Sequence, residues 1–140
     1  MSHARWSAVL GSAVLAALIL ASTAGAQPEA DSWSGARLVT IQLSSFRFEP
    51  ADIVLEHGQP YRLHFVNNAS GGHDFAGKEF FAQARIRPED AARISGGRVE
   101  LSGGESVDIH LIAPSPGRYK IRCTHFMHSM LGMTGRIVVQ

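Results

Sequence analysis

The chain has 140 residues, with 13 Lys and Arg against 12 Asp and Glu, for a formal net charge of +1. Near-neutrality, with no basic run and no acidic tail, excludes a dedicated nucleic-acid surface. The single cysteine excludes an internal disulfide, and no repeat or low-complexity tract divides the sequence.

In chain order, residues 1–26 have the pattern of a secretory signal peptide. His3 and Arg5 form a short basic start, Ala8 to Ala21 is apolar, and Ala24-Gly25-Ala26 is an A-x-A cleavage signal. An uncleaved membrane anchor is the alternative, but the apolar stretch falls short of the ~20 residues a spanning helix needs. The expectation is an exported, periplasmic chain of 114 residues, Gln27 to Gln140. That is one domain with a core of its own. Residues 27–36 read as a flexible leader and 37–140 as the folded domain.

Arg37 to Leu43 is rich in β-formers and predicts a first strand. Phe46 and Phe48 alternate with Arg47 before Pro50, and Ile53-Val54-Leu55 predicts a short second strand ended by His57-Gly58. Tyr61 to Val66 alternates, with Tyr61, Leu63 and Phe65 on one face, which marks a half-buried strand. Asn67 to Gly72 is a loop by its turn chemistry. From Ala76 to Ile94 the pattern changes: Phe80, Phe81, Ala84 and Ile86 among charged residues predict a short helical insertion around 78–94. Pro88 interrupts it and can start a second turn. Strands resume at Arg98 to Leu101, Glu105 to Ile112, Arg118 to Arg122 and Arg136 to Gln140. Short strands, Gly/Pro turns and one helical insertion predict an all-β Greek-key β-sandwich or barrel.

The chemistry concentrates between the last two strands. Cys123, His128 and Met133 are spaced C-x4-H-x4-M on one loop. A free thiol in an oxidising compartment is a liability unless buried or capped by a metal. A thiolate, two imidazoles and a weak axial thioether make the donor set of a mononuclear electron-transfer copper site. The second imidazole has to come from elsewhere. His57 reads as solvated in a turn, and His64 and His110 read as surface residues on outer strand faces. His73, after a Gly-rich loop and before Phe75, is the favoured partner. His125 could compete with His128, but C-x-H would make a very tight turn. It reads as a neighbour of the site or part of a second, weaker metal contact.

Residues 46–139 resemble the cupredoxin family, small blue copper proteins such as plastocyanin and azurin. The resemblance lies in Phe48-x-Pro50-x-x-Ile53-x-Leu55-x-x-Gly58, in Asn67 with His73-Asp74-Phe75, and in Gly117-x-Tyr119-x-Ile121-x-Cys123. It continues in Thr124, His128, Gly132-Met133, Gly135 and Ile137-Val138-Val139. It implies a Greek-key sandwich binding one copper ion, with His73, Cys123 and His128 in plane and Met133 axial. Many members carry Pro between Cys and His, where this chain reads Thr-His-Phe-Met. Multicopper oxidases carry His beside the Cys, whereas Arg122 and Thr124 flank Cys123 here.

The expected function is single-electron transfer between redox partners by a non-enzymatic, monomeric carrier. Copper sequestration or delivery is the alternative, favoured by His125, Met127 and Met130 but opposed by the lack of a Met- or His-rich tract. A copper enzyme needs an open coordination position. An apolar patch of Phe126, Met127, Met130 and Leu131 around His128 is expected to dock the partner. Asn67 or Asn68 and the Thr124 hydroxyl are candidates to orient the imidazoles and tune the sulfur.

Overall fold

A computed structural model of the chain describes residues 33–140; the signal-peptide reading of residues 1–26 lies outside them. Of the leader, Trp33 to Ala36 form a turn closed by Ala36 N–H on Trp33 O, and the Trp33 ring lies 5.3 Å from the Arg85 guanidinium carbon.

Among the described residues, eleven strands are laid out in order: β1 (Arg37–Ser44), β2 (Arg47–Glu49), β3 (Asp52–Leu55), β4 (Pro60–Asn67), β5 (His73–Ala76), β6 (Arg85–Ile86), β7 (Ile94–Ser95), β8 (Arg98–Leu101), β9 (Ser106–Ile112), β10 (Gly117–Arg122) and β11 (Thr134–Val139). They form two sheets, β2-β1-β4-β9-β6 and β3-β11-β10-β5-β8-β7. Non-consecutive neighbours in both sheets mean that the chain crosses repeatedly between layers. Two pairs are parallel, β1 with β4 and β3 with β11. Both sheets are therefore mixed, and the all-β sandwich expected from the sequence is what forms.

Period-two patterning explains the layering. Tyr61, Leu63 and Phe65 of β4 are buried, as are Val107, Ile109 and Leu111 of β9 and Tyr119 and Ile121 of β10, while the residues between them face outward. The inner faces interdigitate around Phe65 and Phe75, whose ring centroids are 4.8 Å apart, with Phe48 edge-on to Phe75 at 5.3 Å.

The insertion at 78–94 departs from one amphipathic helix. It divides into helix α1 (Lys78–Gln83), the two-residue strand β6 and a 3-10 helix, Pro88–Arg93. Phe80 and Phe81 bury against the core as the pattern predicts. Pro88 lacks the N–H a continuing helix needs and restarts the chain as a 3-10 turn. This segment also changes the reading of His110. It is half-buried rather than on the surface, because the turn folds over it and places Asp90 Oδ2 2.9 Å from its Nδ1.

Candidate metal centre

Cys123 directly follows β10, and its loop closes on itself. The Cys123 N–H donates to Met133 O at 3.0 Å, and the Met133 N–H donates to His128 O at 3.0 Å. Between them, His128 N–H bonds His125 O and Leu131 N–H bonds Met127 O. Gly132 sits at φ +105, where a side chain would strain the backbone. The three ligand-type residues of the loop are thus held by their own main chain.

His73 opens β5 rather than sitting on the loop before it, and pairs with Leu101 of β8. Alternation along β5 sends His73 and Phe75 to the inner face and Asp74 to the other. Asn67, buried at the end of β4, fixes the approach. Its amide donates to Gly71 O at 2.8 Å and Ser102 O at 3.0 Å, and its Oδ1 accepts from Ala69 N–H at 3.0 Å. Asn67 therefore shapes the loop backbone instead of bonding an imidazole. Asn68 is exposed and donates to Gln42.

These elements bring His73, Cys123 and His128 together. His73 Nδ1 and His128 Nδ1 are 3.1 Å apart; Cys123 Sγ is 3.4 Å from His128 Nδ1 and 3.9 Å from His73 Nδ1. Met133 is wholly buried, and its main chain bonds those of Cys123 and His128. An ion about 2.0–2.3 Å from each nitrogen and sulfur in a trigonal plane would hold them roughly 3.5–3.8 Å apart. The observed spacings bracket that range. The set is one soft and two borderline donors, which suits copper.

Burial disfavours the charged forms of Cys123 and His73. Burial pushes the Cys123 thiol up, against the backbone N–H groups of Asp74 and His125, which favour thiolate. Burial also pulls His73 below the usual imidazole value, helped by repulsion from His128 and His125. A neutral imidazole is the ligating form.

Three neighbours complete the site. Asp74, buried on the outer face of β5, accepts Thr124 N–H at 2.7 Å and also the Thr124 hydroxyl. This pins the start of the Cys123 loop to the strand that carries His73. The Thr124 hydroxyl is thus committed to a carboxylate. His125 is half-buried, stacks on His128 with centroids 5.4 Å apart, and places Nε2 2.7 Å from Glu100 Oε1. Phe46, read in the sequence only as alternating with Phe48, lies edge-on to His128 at 5.2 Å. Its position two residues before the Phe48 core anchor was the available signal. Around the loop, Phe126 is 89% and Met130 81% exposed, with Met127 and Leu131 also open.

A two-layer β-sandwich with a buried Cys and His pair at one end, supplied by the last inter-strand loop and a neighbouring strand, defines a recognisable class of domain. The chain matches the family described as cupredoxin-like domain over residues 12–139 and belongs to it. No curated protein matches. Among solved structures, a dithionite-reduced auracyanin from the photosynthetic bacterium Roseiflexus castenholzii superposes with a TM-score of 0.55 at 21% identity, over 76% of this chain and 99% of that one. Auracyanin A of Chloroflexus aurantiacus, described as a "blue" copper protein, gives 0.51 at 22%, over 74% and 99%. The multicopper oxidase McoA of Aquifex aeolicus gives 0.59 at 18%, with 76% of this chain covering 30% of the oxidase. At these identities the likeness is one of fold.

Proposed function

We propose that this protein is an exported, periplasmic type 1 copper protein that carries single electrons between redox partners and has no substrate of its own. The observation that carries the reading is the convergence of His73 Nδ1, Cys123 Sγ and His128 Nδ1 within 3.1–3.9 Å of one another. Met133 is the axial donor in this reading, supported by its burial and its backbone bonds to Cys123 and His128. Copper bound there supplies a one-electron couple.

The protein's own part is to keep the donors still. The Asp74–Thr124 bonds, the Asn67-braced loop and the Cys123–Met133 backbone bond hold them in place. Little reorganisation then accompanies gain or loss of charge. Burial excludes water from the sulfur, and the ring of His128, flanked by Phe46 and by the exposed loop residues, is the route outward. An exposed apolar patch of this kind suits a weak, transient encounter.

The test is reversible redox cycling of the copper-loaded chain, followed by self-exchange between reduced and oxidised copies, read from NMR line broadening. The account expects full reversibility, and a self-exchange rate about tenfold lower in Met130→Lys with an unchanged copper spectrum. Irreversible loss of copper on reduction contradicts it.

A second reading, copper sequestration or delivery, is favoured by one further group. Asp74, Glu100 and His125 place ligand-type atoms within 4.8 Å of one another beside the first set. Binding of two copper ions per chain, with ready release to a chelator, would support that reading over the carrier.

A further inference from the structure

An open groove of about 750 Å³ runs over the outer face of the second sheet, lined by Lys78, Arg98, Lys120 and Arg122. Among the described residues, Glu79 is its only acidic lining residue. Most arginines elsewhere are partnered: Arg37 with Glu56, Arg87 with Asp90, Arg93 with Glu105 and Arg136 with Asp52. Lys78, Arg98, Lys120 and Arg122 have no ion pair among the described residues, and Arg118 extends the row along β10. A chain close to neutral overall therefore gathers unpaired cations on one face.

The register orders them. Ala76 of β5 pairs with Arg122 on one side and Arg98 on the other, so the two guanidinium stems flank a methyl group, roughly 10 Å apart across three strands. Lys120 stands on the same face of β10 about 7 Å from Arg122. No cation here is buried, so nothing converges on a compact anion. The spacing is that of a strand or a ridge, which fits a row of carboxylates. At its upper end the groove is lined by Thr124 and Thr134, the chain neighbours of Cys123 and Met133.

We propose that this groove docks an acidic segment of a redox partner protein, with its carboxylates seated on Arg98, Arg122, Lys120 and Lys78. The inference rests on the electron-carrier reading and adds the charge of the partner and the face it uses. The apolar loop around His128 then supplies the short contact, and the groove supplies steering and orientation, which salt weakens.

The experiment titrates an octaglutamate peptide into the 15N-labelled full chain, with and without Cu(I), at low and high salt. The expected result is amide shifts confined to residues 76–79, 96–98, 120–122 and 134–135. Affinity should fall at least tenfold in the pair Lys120→Gln with Arg122→Gln, and not in Arg62→Gln on the other sheet. Shifts scattered over all arginines, or equal shifts with inorganic phosphate alone, overturn the proposal. In a second arm, oxidation of the Cu(I) protein by hexacyanoferrate(III) should slow about tenfold in the double variant with the copper spectrum unchanged; an unchanged rate overturns it. Peptide binding by a chain that forms no thiolate–copper band supports the groove and overturns the carrier reading. A copper band without peptide binding does the reverse.

Discussion

His73 and Cys123 are fifty residues apart in sequence, and their positions depend on residues that touch no donor atom. Asn67 is one. Its side chain bonds Gly71 O and the Ala69 N–H of the loop leading to His73, and Ser102 O of the turn after β8, and truncation removes all three bonds. Asn67→Ala should cost about 2–3 kcal/mol of stability, read by urea unfolding, and should broaden the signature of bound copper as His73 loosens. Asp90, remote from the site, braces a different part of the fold through Arg87 and His110. Burial works to raise its pKa, but hydrogen bonds from Arg87 and from the backbone and ring of His110 outweigh burial and hold the carboxyl below its ordinary value. A depressed carboxyl contributes stability above the ordinary carboxylate range, and the contribution disappears as pH falls through the lowered value. Asp90→Asn should therefore be less stable by about 2 kcal/mol at pH 7. Its unfolding midpoint should converge on that of the parent in acid, as followed by urea titration from pH 7 to pH 2.

At the scale of elements, the strands were legible because alternation is a local signal. The runs Tyr61 to Val66 and Arg118 to Arg122 gave β4 and β10 nearly to the residue. The ligand loop was legible because three of its donors lie within eleven residues of one another. His110 was misread because the residue that covers it, Asp90, lies twenty positions away in a segment whose 3-10 turn has no periodic signature. The contact of Phe46 with His128 escaped because the two lie far apart in the chain. Glycines carry a further constraint that only packing shows. A Cβ at Gly135 would stand 2.3 Å from Ala51 O, and that carbonyl already accepts the Arg136 N–H at 2.9 Å. Gly135→Ala should force β11 away from the segment before β3 and cost about 1–3 kcal/mol, seen as a lower thermal midpoint. An unchanged midpoint would contradict the close approach.

For the whole molecule, the sandwich separates tasks by location. The interior around Phe65 and Phe75 fixes the two sheets, one end carries His73, Cys123, His128 and Met133, and the exposed apolar loop lies over them. No single sequence window holds this arrangement. His73 reaches the others only because β5 lies next to β10 in the second sheet, a pairing of strands distant in the chain. The family resemblance supplied that partnership in advance; the residues alone made His73 a favoured loop histidine. The charged outer face was not legible at all, since its cations come from α1, β8 and β10 and the net charge conceals them.

The most direct test of the metal centre is to add one equivalent of Cu(II) to the chain and record its visible absorption and EPR spectra beside those of Cys123→Ser. The account predicts an intense thiolate-to-copper band with a narrow parallel hyperfine splitting, both lost in the variant. A weak spectrum with ordinary splitting, the same in both proteins, would place copper on histidines elsewhere and contradict the site built from His73, Cys123, His128 and Met133.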